Sequence, residues 1–69
     1  MNNSILSSIR NADGRFFGLY TNDGRVMNAQ LIRETPKFIR VFERNLGTET
    51  RVAKTNIKKV RSRGYTTTA

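Results

Sequence analysis

Lysine and arginine are the side chains of this protein with the clearest capacity for binding chemistry, and most lie in its second half. The 69-residue sequence has 13 Lys and Arg against five Asp and Glu, a net charge of +8. Residues 36–69 hold nine of the basic and two of the acidic residues, which leaves +7 on this half. Such asymmetry in a small domain is typical of a polyanion binder, although a high net charge also favours solubility.

The last third of the chain concentrates cations on two predicted strands and the turn between them. Lys59, Arg61 and Arg63 alternate with Val60 and Ser62, which predicts that the three leave the core on one side. The predicted stripe consists of Arg51, Lys54, Lys58, Lys59, Arg61 and Arg63. We predict that it binds the phosphates of nucleic acid. The alternative is a solvated outer face that keeps the domain soluble and protects an edge strand.

A second candidate site lies on the predicted third strand, where Phe38, Arg40 and Phe42 alternate with Ile39 and Val41. If Ile39 and Val41 point inward, the other three present an aromatic, a cation and an aromatic, a spacing that suits stacking of unpaired bases. The alternative is that one or both rings pack under an N-terminal helix or at a subunit contact. Arg40 would then be a charge at the rim of that contact.

The sequence contains few residues that could act in catalysis. There is no histidine and no cysteine. General acid and base catalysis would then need carboxylates paired in a pocket. The five carboxylates are expected in turns or at strand ends: Asp13, Asp23, Glu34, Glu43 and Glu49. We therefore expect no enzymatic activity, no catalytic residue, no cofactor and no metal ion.

A β-hairpin over residues 15–32 organises the predicted fold. Apolar and β-branched runs flank Asn22-Asp23-Gly24, and an Asp-Gly pair is a strong turn signal because Gly24 accepts a positive φ. Period-two alternation predicts which side chains face inward. These are Phe17, Leu19, Met27, Ala29 and Leu31. Gly18, which has no side chain to pack, is interpreted as a bulge or a sharp bend.

The remaining elements are short and are joined by tight turns. Ser4 or Asn3 caps a predicted helix of about residues 4–11 that covers an open end of the sheet. Further strands are predicted over residues 37–44, over 50–55 and from Val60 to about Gly64, with a 3₁₀ turn near Ile57; residues 65–69 are predicted to be a flexible tail. We therefore expect a mainly β fold, a small five-stranded barrel with one helix, forming a single domain over residues 1–64.

No apolar run approaches the roughly 20 residues that a membrane span requires, and the N-terminus lacks the pattern of a secretion signal. The absence of thiols also suits a reducing compartment. We therefore expect a soluble, intracellular protein with no membrane partner.

The segments RFFGLYTNDGRVMNAQL and PKFIRVFERNLGTETRVAKTNIKKVRS resemble small bacteriophage proteins with an Sm-like, SH3-type barrel. The resemblance covers about residues 15–63. It comprises an aromatic first strand, an Asp-Gly turn, an Arg-x-Met-Asn second strand and an Asn-apolar-x-x-Val ending. It implies an SH3/Sm-like barrel of phage origin in the host cytoplasm.

The same stretch is similar to the first signature of Sm and Hfq-type RNA binders, in which a Gly-x-Leu strand leads to an Asp and a Met-Asn pair. Those proteins assemble as rings and hold a uracil base in the Asp and Asn region. The resemblance implies base binding by Asn28 and Asp23. Here Gly18 and Leu19 are adjacent, and Asp23 and Asn28 are one residue further apart than in that signature.

Three functions follow as expectations. The first is a non-enzymatic barrel that binds RNA or single-stranded DNA through the cationic stripe. The second is a phage protein-binding module or inhibitor that docks on a host factor. The third is a structural homo-oligomer, a ring formed by pairing of exposed strand edges, which is compatible with nucleic-acid binding because a ring multiplies weak contacts.

Overall fold

The computed structural model describes residues 3–68 and contains one helix and six strands. The helix α1 (Asn3–Asn11) is followed by β1 (Phe17–Thr21), β2 (Val26–Glu34), β3 (Phe38–Glu43), β4 (Thr48–Ala53), a 3₁₀ turn (Lys54–Asn56), β5 (Ile57–Ser62) and β6 (Tyr65–Thr68). The strands form one antiparallel sheet in the order β4-β3-β2-β1-β5-β6. The prediction of a mainly β fold with a short N-terminal helix is confirmed.

The hairpin of β1 and β2 closes through the predicted Asp-Gly turn. Gly24 has φ +91°, and Thr21 N–H donates to Arg25 O over 3.0 Å. The Thr21 hydroxyl also donates to an Asp23 carboxylate oxygen. This hydrogen bond lowers the pKa of Asp23, because it stabilises the charged carboxylate. The turn therefore sets the register in which Leu19 lies opposite Met27.

The core lies on one face of the sheet and under α1. It comprises Ile5, Ile9 and Ala12 from the helix and Phe17, Leu19, Met27, Ala29, Ile39, Val41, Val52, Ile57 and Val60 from the strands. Leu31 packs against this cluster and is partly buried. The predicted inward set is confirmed, because β1 and the part of β2 up to Leu31 alternate regularly between a buried and an outer face. The helix lies against β5 and β6.

The predicted count of five strands is wrong, because the predicted tail contains strand β6. Arg63 and Gly64 have φ values of +53° and +80° and form a two-residue turn that folds β6 back onto β5. Positive φ at both central residues is the geometry of a type I′ hairpin.

The sixth strand also accounts for the open sheet. β5 pairs with β1 along one side and with β6 along the other, so β5 has no side left to pair with β4. β4 and β6 are the two edges of the sheet, and the predicted closure into a barrel is not observed.

Two bulges change which side chains share a face. In β2 the register steps from Leu31 opposite Val41 to Arg33 opposite Arg40, which leaves Ile32 as the extra residue. In β5 the register steps past Lys58 in the same way. A bulge moves every following side chain to the other face of its strand.

The prediction of a bulge at Gly18 is wrong. Gly18 pairs in regular register with Asn28 on one side and with Arg61 on the other. A Cβ atom at this position would lie 3.5 Å from Arg61 Cβ and 3.5 Å from the Tyr20 ring. These are ordinary van der Waals distances, so a Cβ atom would fit between the two neighbours on the polar face of the sheet.

Candidate nucleic-acid interface

Three arginines lie side by side on the polar face of the sheet, the face opposite the core. Arg33 of β2 is directly opposite Arg40 of β3, and Arg40 is directly opposite Arg51 of β4. Neighbouring strands are about 4.8 Å apart, so the row crosses roughly 10 Å of the sheet. We call Arg33, Arg40 and Arg51 the arginine row.

The arginine row borders a shallow concavity of about 240 Å³ that Thr35 and Phe38 complete. Arg51 Cζ lies 4.3 Å from the centroid of the Phe38 ring, within the range of a cation–π interaction. Phe38 N–H donates to Thr35 Oγ1 over 3.2 Å, which holds the start of β3 beside this concavity. The concavity therefore combines three guanidinium groups, a hydroxyl group and an aromatic ring.

The carboxylates do not neutralise the arginine row. Within residues 3–68, its only ion pair joins Arg40 to Glu49 at 3.7 Å, and both side chains are half-exposed. Like charges placed directly opposite one another in a sheet are destabilising. The arrangement therefore favours an external anion, which guanidinium groups bind with paired hydrogen bonds.

The structure separates the predicted cationic stripe into two groups. Arg51 belongs to the arginine row, whereas Lys59 and Arg61 lie on the polar face of β5. β4 and β5 are separated in the sheet by β3, β2 and β1. Lys58 is the exposed residue of the β5 bulge, and Arg63 occupies the turn that follows β5.

The β5 group has its own aromatic neighbour. Lys59 Nζ lies 4.6 Å from the centroid of the Tyr20 ring, because Lys59 and Tyr20 are directly opposite each other. Arg61 lies between Gly18 and Thr66 and is exposed. Within the described residues, Lys59 and Arg61 form no ion pair with a carboxylate.

Lys54, which the sequence placed in the stripe, is occupied by an internal interaction. Its Nζ lies 2.7 Å from Glu34 Oε2, and its side chain is 11% exposed. Arg10 of α1 binds the same carboxylate through Nε at 2.8 Å and Nη2 at 2.6 Å. These hydrogen bonds, that from Arg10 first, lower the pKa of Glu34 to about 2. We therefore assign Lys54 to the scaffold and not to the interface.

The rings of Phe38 and Phe42 both lie on the polar face and are half-buried. Phe42 packs edge-on against Phe16, with ring centroids 6.3 Å apart, and Arg44 lies 5.2 Å from the Phe16 centroid. Phe42 is thus engaged with another ring, whereas Phe38 is engaged with Arg51 of the arginine row. Of the two, Phe38 lies in the more favourable position for a ligand.

Asn28 is half-buried on the polar face, in the same cross-strand line as Gly18 and Arg61. Its backbone carbonyl accepts a hydrogen bond from Arg44 N–H at 2.8 Å. Asp23 lies in the β1–β2 turn and is bound to Thr21 and Arg25. Asn28 therefore lies beside the β5 cations, and base binding by Asn28 and Asp23 stays a prediction.

Arg33 is the residue of the arginine row that the sequence analysis missed. Strict alternation from Leu31 would place Arg33 on the core face, and the bulge at Ile32 moves it to the polar face. The signal available in the sequence was the Leu31-Ile32 pair, since alternation places the apolar Ile32 on the outer face and the charged Arg33 on the core face.

Comparison of the chain with protein-family models, with curated proteins and with solved structures finds no match. Over residues 3–68 there is no helix with the length and apolar character to cross a membrane. The functional interpretation therefore depends on the arrangement of the chain's own side chains.

Proposed function

We propose that this protein is a non-enzymatic nucleic-acid-binding protein that holds RNA or single-stranded DNA on the polar face of its sheet. The observation that supports it best is the arginine row, in which three arginines occupy directly opposite positions on three neighbouring strands. Within the described chain one half-exposed carboxylate, that of Glu49, pairs with Arg40, and neither Arg33 nor Arg51 forms an ion pair.

The energetics of the sheet argue that the arginine row serves a ligand. A like-charged pair placed directly opposite in a sheet lowers stability, by an amount on the order of 0.2–1 kcal/mol. The row contains two such pairs, Arg33 with Arg40 and Arg40 with Arg51. A phosphate between the guanidinium groups converts this repulsion into attraction, because each guanidinium binds phosphate oxygens in a planar fork.

The β5 cations extend the proposed interface. Lys59 and Arg61 share the polar face with the arginine row, and Lys58 and Arg63 are exposed at the bulge and the turn beside them. A polymer with regularly spaced phosphates can bind both groups at once, whereas a small anion binds only one of them. We therefore propose a polymer as the ligand.

The test is fluorescence anisotropy with labelled oligo-uridine and oligo-thymidine at several salt concentrations. The R33S/R40S/R51S variant should bind at least tenfold more weakly than the wild type at low salt. Its log–log salt slope should be smaller by about 2, because each phosphate contact on a single strand contributes roughly 0.7.

The control removes the same number of charges from other places. Arg15, Arg25 and Lys37 are exposed in the loops before β1, β2 and β3, so the R15S/R25S/K37S variant keeps both the arginine row and the β5 cations. It should lose less than threefold in affinity. Equal losses in both variants, or wild-type binding weaker than about millimolar at low salt, would overturn the proposal.

A second candidate function is docking on a host protein. Val26 and Leu46 are 66% and 74% exposed and border one concavity of about 380 Å³ with Met27, Glu43 and Thr48. Exposed apolar side chains around a cavity favour a protein contact. Capture of a protein that survives nuclease treatment and is lost in V26S/L46S would support docking.

Self-association is the third candidate, since β4 and β6 both present an unpaired edge. Exposed edges are templates for pairing between chains. A clean monomer mass in light scattering, about 8 kDa, would exclude a ring at the concentration measured. We also propose that the protein is a member of the Sm-like bacteriophage proteins and acts in the host cytoplasm.

A further inference from the structure

Arg51 and Phe38 form a cation–π pair at the edge of the arginine row. Arg51 Cζ lies 4.3 Å from the Phe38 centroid, which is the shortest of the three cation–ring distances in residues 3–68. Phe38 is half-buried, and three hydrogen bonds between its backbone and Thr35 hold it at the start of β3. The Phe38 ring is thus placed on an anchored backbone beneath the guanidinium group.

The outward side of Arg51 is open to a ligand. Arg51 is exposed, lies on an edge strand, and forms no ion pair or hydrogen bond through its guanidinium group with the described residues. A guanidinium group is planar, so a group that rests on a ring by one side can stack an unpaired base on the other.

The neighbouring side chains suit the phosphate that accompanies such a base. Arg40 is directly opposite Arg51, Arg33 is directly opposite Arg40, and both border the same concavity of about 240 Å³. The Thr35 hydroxyl lies at this concavity too. An aromatic-supported stacking group and two cations therefore lie within one nucleotide's reach.

The other two cation–ring pairs lack this combination. Lys59 over Tyr20 presents an ammonium group, which has no plane on which a base could stack. Arg44 lies 5.2 Å from Phe16, and Phe16 is also in edge contact with Phe42. The concavity beside Phe38 is therefore distinct among the described aromatic sites.

We propose that this concavity is a nucleotide subsite in which an unpaired base stacks on Arg51 and its phosphate binds Arg40 and Arg33. The inference deepens the proposed function and rests on it. It makes single strands the substrate class, because a duplex keeps its bases stacked on one another and offers only phosphates to the row.

The experiment compares oligo-uridine with two probes that carry phosphates but no unpaired base, a DNA duplex and inorganic polyphosphate. The R51K variant keeps the charge and loses the planar group. It should bind oligo-uridine roughly fivefold to 150-fold more weakly, the range for one stacked base, and bind the other two probes within about threefold of the wild type. F38L should also reduce the preference for oligo-uridine over the other two probes, since it removes the aromatic ring under Arg51.

R40K is the matched control, because Arg40 is assigned to phosphate and not to stacking. It should weaken binding of all three probes by similar factors and leave the preference for oligo-uridine unchanged. Oligo-thymidine and an abasic strand of the same length complete the comparison. Wild-type protein should prefer the strand with bases, and R51K should bind the two strands nearly alike.

The failures of the two proposals are distinguishable. If R51K weakens oligo-uridine and polyphosphate equally, the stacking subsite is wrong and phosphate binding by the row stands. If the wild type binds none of the probes at low salt, nucleic-acid binding itself is wrong. Tighter binding of the duplex than of oligo-uridine would also overturn the single-strand assignment.

Discussion

Glu34 is the residue that joins three separate parts of the fold. It lies at the end of β2, and its carboxylate binds Arg10 of α1 and Lys54 of the 3₁₀ turn. Its side chain is 22% exposed and that of Lys54 is 11% exposed, so the pair is shielded from much of the solvent. Shielded, hydrogen-bonded ion pairs contribute more to the free energy of unfolding than surface pairs do. Removal of one partner leaves the other charge shielded from solvent without a counter-charge.

The E34Q variant should therefore be less stable than the wild type. Loss of the carboxylate leaves the Lys54 ammonium group with little compensation, at a cost of about 2 kcal/mol in the free energy of unfolding. Urea denaturation followed by circular dichroism measures this value. E49Q is the control, because Glu49 forms only a half-exposed contact of 3.7 Å with Arg40 and should change stability by less than about 0.5 kcal/mol.

The same carboxylate predicts a pH dependence. The pKa of Glu34 falls from its ordinary 4.5 to about 2 in the folded protein, so its stabilising contribution is full above about pH 4.5. Stability should fall as the pH drops from 4.5 towards 2, where the folded carboxylate takes up its proton. The free energy of unfolding of E34Q should depend less on pH over this range than that of the wild type. The same pH dependence in both proteins would contradict the assignment.

Arg63 has a backbone conformation that its residue type disfavours. Its φ of +53° is required by the two-residue turn before β6, and Asn accepts positive φ more readily than Arg. The R63N variant should raise the free energy of unfolding by about 0.5–1 kcal/mol. R61N, within β5, should lower stability instead, because Asn is a poor strand former. A destabilised R63N would indicate that the Arg63 side chain contributes more than its backbone costs.

Within the sheet, we expect the arginine row to lower stability and, on the proposed function, to strengthen binding. Arg40 faces a like charge on each side, so R40T should stabilise the sheet by about 0.5 kcal/mol and weaken binding of oligo-uridine. Thermal denaturation and anisotropy on the same preparation test both effects. R61T is the matched control, since Arg61 lies between Gly18 and Thr66 and has no like charge directly opposite. If R40T and R61T both stabilise the protein, repulsion within the arginine row is not the cause of the effect of R40T.

Strand β6 should be a stabilising element. It pairs with β5 from Lys59 opposite Thr68 to Ser62 opposite Tyr65, and it lies against α1. Deletion of residues 64–69 exposes the edge of β5 and should lower the free energy of unfolding by about 2–4 kcal/mol. Two results together would support a flexible tail instead of a strand: unchanged stability of the truncated protein, and rapid hydrogen exchange over residues 65–68 of the full chain.

At the scale of the whole molecule, the net charge of +8 makes the chain repel itself when folded. Neutral salt screens this repulsion, so a rise in NaCl should increase Tm by a few degrees while it weakens nucleic-acid binding. The R15S/R25S/K37S variant, at +5, should show a smaller increase in Tm. A Tm that falls with salt would mean that attractive ion pairs such as Arg10 with Glu34 outweigh the repulsion.

Local signals were sufficient for much of the fold. Asp23-Gly24 predicts the first hairpin because glycine accepts the required φ, and period-two alternation predicts the burial of Phe17, Leu19 and Val41. Charge and alternation also predict that Arg40 and Arg51 take part in binding, and that role stays a prediction. The turn and the alternation depend on neighbours in the chain, so they could be predicted without knowledge of the fold.

Tertiary structure decided how the cations are grouped. The bulge at Ile32 brings Arg33 opposite Arg40, and Glu34 draws Lys54 out of the predicted stripe. The turn at Arg63 and Gly64 adds β6 and takes the strand side that closure of a barrel would need. Each depends on a pairing between residues distant in sequence, and a shift of one residue in register moves a side chain from one face of the sheet to the other.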